Sequence, residues 1–154
     1  MSLFDGFAAL AQGISVTSYE GQAPMLLEAV SAGEASAVAL PFRRDSSGLW
    51  RVNWEPLLKV AVDKSRPLAE RSRCFHVSLA QCIVDQARHF REVLGVSRVG
   101  LTGGVFQNRV LTEAARRLLE ADGFAVLVAE RVPCNDGGLS FGQVVEFAGR
   151  RKGR

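Results

Sequence analysis

From residue 97 to residue 149 the hydrophobic pattern runs strand, helix, strand, helix, and this order constrains the fold more than any other feature of the chain. The apolar run SRVGL predicts a strand over 97–102, and VLTEAARRLLEA has the spacing of an amphipathic helix over 107–121. A second strand is predicted over 124–130 and a second helix over 138–149. Two strands joined through a helix lie parallel, linked by a right-handed crossover, with helices packed on the sheet. In such sheets ligands bind beyond the carboxyl ends of the strands. Two loops emerge there, TGGVFQN and VPCNDGG, and they should share one edge.

Upstream, Leu3 to Ala11 suits a short helix with Leu3, Phe7, Leu10 and Ala11 on one face, ended by Gly13. An extended piece, ISVTSYEG, leads to a helix started by Pro24 and closed at Gly33. The segment SAVALPFRRDSSGLWRVNW reads as a hairpin about a DSSG turn. A helix is predicted from Glu55 to Lys64. A long one follows from Leu68 to Leu94, its apolar face set by Phe75, Leu79, Cys82, Ile83, Ala87, Phe90 and Leu94. With 47% hydrophobic residues, the 154-residue chain is expected to form one α/β domain, a mixed sheet with helices packed on it.

The apolar runs are too short to cross a bilayer, and the N-terminus lacks a secretory pattern, so a soluble cytoplasmic protein is expected. Cys74, Cys82 and Cys134 are odd in number and form no CxxC pair, which argues for reduced thiols. The net charge is +3, but Arg150, Arg151, Lys152 and Arg154 supply +4, leaving about −1 elsewhere. Neither nucleic acid nor a membrane is an expected partner, and the basic tail, 150–154, reads as a solvated end.

In the first loop, Gly103 and Gly104 remove side chains where the strand turns, permitting positive φ and close approach of a ligand to the backbone. The start of the following helix would suit a phosphate or nucleoside. Asn108 could cap that helix or aim its amide at a ribose or base. Neither GxxxxGK[ST] nor GxGxxG occurs. In the second loop, Asp136 is either an N-cap or a carboxylate aimed into the cleft as a metal ligand, beside Gly137 and Gly138, which would admit phosphates. In SYEGQAP, Glu20 and Gln22 could line a substrate or form a polar turn. His76 and His89 lack the spacing of a metal pair; His76 reads as a packing residue and His89 as a solvated one. Cys134 has no neighbouring group to activate it and reads as loop filler.

SYEGQAPMLLEA, CFHVSLAQ, LTGGVFQNRVLTE and VPCNDGGLSFGQ together resemble the C-terminal part of the hydrogenase maturation carbamoyltransferases, the HypF family. The resemblance implies one lobe of the actin-like, sugar kinase and heat-shock ATPase superfamily, a ribonuclease H-like fold, in its Kae1-like form. It implies an enzyme that makes carbamoyl adenylate from carbamoyl phosphate and ATP. The carbamoyl group then passes to the C-terminal cysteine of HypE during nickel–iron hydrogenase maturation. By motif, Gly103, Gly104, Asn108, Gly137 and Gly138 inherit contact with the nucleotide, and Asp136 inherits a catalytic and metal-ligand position. Glu20 and Gln22 are candidate lining residues. The divalent metal, zinc, iron or magnesium, would take two further ligands from an HxxxH motif.

That motif is absent here, as are the acylphosphatase-like segment, the paired CxxC zinc motifs and the adenylate-forming lobe of the family. The chain is therefore expected to be a C-terminal lobe that works with the N-terminal remainder of the enzyme and a HypE-type acceptor, and to be inactive alone. A tRNA threonylcarbamoyltransferase-like or O-carbamoyltransferase lobe, and a non-catalytic nucleotide-binding module, are the alternatives.

Overall fold

The spine of the protein is a 27-residue helix, α4 (Leu68–Leu94), in a computed structural model that describes residues 2–152. It opens directly after Pro67 and closes at Gly95, whose φ of 69° and N–H to the Arg91 carbonyl (2.8 Å) form a left-handed cap. Its buried residues, among them Cys74, Phe75, Ser78 and Cys82, recur at helical spacing.

Three short helices, α1 (Leu3–Gln12), α2 (Gln22–Ala29) and α3 (Pro56–Val62), pack together beside it. Phe75 joins them, with its ring centroid 4.8 Å from Phe4, edge-on, and 4.2 Å from Phe7. The expected α1 is present, capped at Ser2 and ended by Gly13. Helix α2 starts at Gln22, ahead of Pro24, which sits in the first turn where its missing N–H costs nothing. It stops at Ala29, short of Gly33.

The hairpin forms as β1 (Phe42–Arg44) and β2 (Trp50–Val52), antiparallel with Arg43 opposite Arg51. Its first strand is shorter than the hydrophobic run suggests. Val38 donates its N–H to Ser78 Oγ of α4 (2.9 Å) instead of to a strand, and Pro41 has no N–H to offer. His89, expected to be solvated, packs against Trp50 at 4.2 Å and Phe42 at 5.6 Å between ring centroids. The hairpin needs an aromatic partner on α4, and His89 is on the turn that faces it.

Strand β3 (Arg98–Leu101), helix α5 (Arg109–Ala121) and strand β4 (Ala125–Val128) form the expected parallel unit, with Leu101 opposite Val128. The single mixed sheet does not form. Among the described residues there are two separate two-stranded sheets, because β1–β2 rests on α4 rather than extending β3–β4. The protein is a small, mostly helical α/β structure. Helix α6 (Leu139–Lys152) follows the second loop; Arg150 pairs with Glu146 at 2.6 Å, so 150–152 extend a helix rather than fraying, while Arg154 lies outside the described residues. No described helix is long and apolar enough to cross a membrane.

Helix α5 lays Leu111, Ala114, Ala115 and Leu119 on α4. At its end Asp122 accepts from Arg88 (2.6 Å) and Arg91 (2.9 Å), and Arg91 also stacks over the Phe124 ring. Arg88, through its hydrogen bond and then its charge, holds the Asp122 carboxyl below its ordinary value. The folded pKa is depressed, so this stabilisation is full above the unfolded carboxylate range and disappears as pH falls through the folded value. Thermal melts should show Asp122→Asn less stable than wild type at pH 7, with the gap closing as pH falls through the depressed folded value. A gap independent of pH would show that charge contributes nothing there.

Candidate functional site: a cleft between two glycine loops

After β3 the chain turns at Gly103, whose φ of 107° is open to glycine but strained for other residues. The Gly103 N–H donates to the Cys134 carbonyl (2.6 Å), and the Thr102 hydroxyl donates to the same oxygen (3.4 Å). This bond ties the first loop to the second. Cys134, read from sequence as filler, holds the loops together through its backbone.

Gly104 opens a short 3-10 turn (Gly104–Gln107) and does not have positive φ, contrary to expectation. A Cβ placed there would touch only the Asn135 Cβ, at 3.9 Å. The protein itself has room for a side chain at 104, and glycine leaves that room to the cleft. Asn108 follows as the N-cap of α5, its Oδ1 accepting from the Leu111 N–H (2.9 Å). Its Nδ2 lies 3.0 Å from His76 Nε2, and the residue is only 9% exposed. Most of the amide's capacity is therefore spent inside the protein, although Asn108 still lines the cleft.

In the second loop the cap is Asn135, not Asp136. Asn135 Oδ1 accepts from Gly137 N–H (3.0 Å) and starts a 3-10 turn (Asp136–Gly138). That leaves the Asp136 carboxylate exposed at the cleft edge. Gly137 lines the cleft as expected. Gly138 does not, and the sequence reading of it needs correction. A Cβ at 138 would stand 2.5 Å from the Pro133 carbonyl oxygen, so glycine is demanded by the loop's own packing.

The third loop places Glu20 in the same cleft. Gln22 is turned away from that role: its Oε1 accepts from Ser18 N–H (2.6 Å) and builds the turn before α2. Glu28 was missed. Its Oε1 accepts from the Arg109 N–H (2.7 Å), joining α2 to the start of α5, and it lines the cleft. The signal was present in the spacing, since Gly21, Pro24, Met25 and Glu28 recur at three- and four-residue steps on one helical face.

The resulting open cleft measures about 1080 Å³, toward the upper end of small-molecule sites. Its walls carry Glu20, Glu28 and Asp136, with the glycine loops between them. A metal does not fit this donor set alone. Among the described residues no three His, Cys, Asp or Glu side chains converge, and Glu28 is committed to α5. Metal sites usually draw at least three protein ligands. Nor can His76 serve, because both ring nitrogens are engaged, Nδ1 with the Ser72 carbonyl (2.8 Å) and Nε2 with Asn108. Burial pushes its pKa down, against the smaller opposing effect of that backbone bond.

Residues 2–143 match a family described as carbamoyltransferase, Kae1-like domain, second subdomain. The chain is 35% identical over 150 residues to carbamoyltransferase HypF of Rhodobacter capsulatus, covering 96% of the chain and 19% of that protein. It is 32% identical over 145 residues to carbamoyltransferase HypF of Synechocystis, covering 93% of the chain and 18% of that protein. It thus spans about a fifth of the length of these relatives. Among solved structures, full-length HypF in its phosphate- and nucleotide-bound form aligns with a TM-score of 0.83 and 31% identity, over 91% of this chain and 19% of that one. T. kodakarensis HypF, whose likeness bears on the fold alone, aligns with a TM-score of 0.75 and 24% identity, over 96% of this chain and 20% of that one.

Proposed function

We propose that this chain, which belongs to the carbamoyltransferase HypF family as the second subdomain of the Kae1-like domain, is one lobe of an enzyme that makes carbamoyl adenylate from carbamoyl phosphate and ATP. That enzyme would pass the carbamoyl group to the C-terminal cysteine of a HypE-type acceptor during nickel–iron hydrogenase maturation. The lobe belongs to the actin-like, sugar kinase and heat-shock ATPase architecture, and residues 1–154 act as a single unit of it.

The observation that carries this reading is the bond from Gly103 to the Cys134 carbonyl. It brings Gly104 and Asp136, 32 positions apart in sequence, to one cleft. Gly103 makes the turn, Gly104 and Gly137 leave space for the nucleotide, and Asn108 offers what remains of its amide. Glu20 lines the opposite wall. Asp136 would supply a single donor to a divalent metal, with the other donors coming from outside this chain.

Helix α6 supports the reading of a lobe that works with more protein. Leu139, Phe141, Val144, Val145 and Phe147 are each more than half exposed. So many exposed large apolar side chains on one helix suit a surface that other protein covers.

Calorimetric titration of the intact enzyme with an adenine nucleotide, with and without divalent metal, tests the assignment. Gly104→Val should weaken nucleotide binding at least about tenfold, or roughly 1.4 kcal/mol, while the melting temperature stays close to wild type. Equal affinity in both proteins would remove Gly104 from the nucleotide site.

A further inference from the structure

Behind the Asn108 cap lies a hydrogen-bonded line of buried groups that runs from the interior of α4 to the cleft wall. His76 is fully buried on α4, where Phe4 of α1 and Phe75 meet its ring edge-on, at 5.7 Å and 5.5 Å between centroids. Its Nδ1 is 2.8 Å from the Ser72 carbonyl oxygen, which can only accept, so Nδ1 carries the proton. Nε2 is then a bare acceptor, and the atom of Asn108 that faces it at 3.0 Å must be the amide nitrogen. The same orientation turns Oδ1 toward the Leu111 N–H, which needs an acceptor. Two bonds at opposite ends of the amide thus agree. One Nδ2 hydrogen is left without a protein partner among the described residues, on a residue that lines the cleft.

We propose that His76 is a positioning residue for the cleft: its neutral imidazole fixes the Asn108 amide so that Oδ1 caps α5 and the remaining N–H is offered to an oxygen acceptor on the ligand. The ligand half rests on the nucleotide reading of the cleft; the orientation of the amide does not. An imidazole in the other tautomer, or protonated, would present an N–H to Asn108 and turn the amide over, placing its NH₂ against the Leu111 N–H. Burial disfavours the protonated ring, and the charged groups that act on it, Glu28 of α2 and Arg73 of α4, do so in opposite senses.

The orientation of the amide is read on the 154-residue chain. Long-range ¹H–¹⁵N spectra of the unliganded protein should show His76 protonated on Nδ1 and bare at Nε2, and the reverse tautomer would overturn the proposal. Asn108→Asp keeps the cap but replaces the donor by an acceptor, so His76 should take up a proton at higher pH than in wild type. An unchanged His76 titration would also overturn it. Titration of the intact enzyme with an adenine nucleotide reads the ligand half. His76→Leu should weaken binding about three- to tenfold, the scale of one misplaced hydrogen bond. His76→Gln, which restores an acceptor near the Nε2 position, should recover most of the loss even if its melting temperature falls as far as that of His76→Leu. Equal binding by His76→Leu and wild type, or loss that tracks melting temperature and is not rescued by Gln, would reduce His76 to a packing residue. Absence of nucleotide binding by wild type would defeat the cleft reading and the ligand half with it, while the tautomer would still decide the orientation of the amide.

Discussion

Given carbamoyl phosphate, ATP and the acceptor protein, the 154-residue chain is expected to form no carbamoyl adduct on the acceptor's C-terminal cysteine. Transfer requires the adenylate carbonyl, an electrophilic stabiliser and the acceptor thiolate in one geometry, and such positioning lowers barriers by roughly 7–11 kcal/mol. This chain supplies one wall. Its cleft is open, among the described residues no three His, Cys, Asp or Glu side chains converge to hold a metal, and the apolar side chains of α6 are exposed. A deficit of about five to eight powers of ten relative to the intact enzyme is the corresponding scale, which places the chain alone below detection. In the intact enzyme, Asp136→Ala should abolish transfer while leaving the fold unchanged, since the carboxylate caps nothing. Mass spectrometry of the acceptor's C-terminal peptide reads both. An adduct made by the isolated chain and lost on Asp136→Ala would show that the catalytic apparatus is contained in these residues.

Gly138→Ala should disrupt the second loop far more than Gly104→Ala disrupts the first. At 138 the added methyl would stand 2.5 Å from a backbone oxygen and 3.2 Å from Val132 Cγ1, with only the loop itself able to move. Overpacking of this kind costs about 1–3 kcal/mol. Relief by shifting Pro133 pulls on Cys134, the acceptor for Gly103, so the two loops part and Asp136 leaves the cleft. At 104 the nearest atom would be an ordinary contact at 3.9 Å. Denaturant melts should therefore show a clear loss of stability for Gly138→Ala and almost none for Gly104→Ala. Nucleotide affinity should fall in the first variant together with stability. Equal stability of the two would mean that the second loop yields freely and does not hold Asp136 in place.

The convergence of the two glycine loops is legible in the sequence, and for a common reason. The two glycine loops follow strands separated by one helix, so parallel pairing sends both to the same edge wherever else the chain goes. Glu20, Gly104, Asn108, Asp136 and Gly137 all reach the cleft on that account or through the loop before α2. The roles that the sequence leaves open are those that turn on which of two near-equivalent hydrogen bonds forms. Asn135 and Asp136 are both good caps, and only the path of the loop gives the first to Gly137 and frees the second. Gln22 could line a cleft or close a turn, and it closes the turn on Ser18.

The long α4, the amphipathic α5 and the parallel β3–β4 unit follow from the residue pattern, because each is written in a repeated hydrophobic period that local geometry must honour. Tertiary structure alone decided what has no period. It set the hairpin on His89 instead of beside β3, and carried Glu28 to the Arg109 N–H across 81 positions. It also put His76 behind Asn108 across 32 positions. Each of these is one contact between distant residues, worth about 1 kcal/mol against alternatives of similar worth, so its outcome depends on where packing of the whole core brings the two ends.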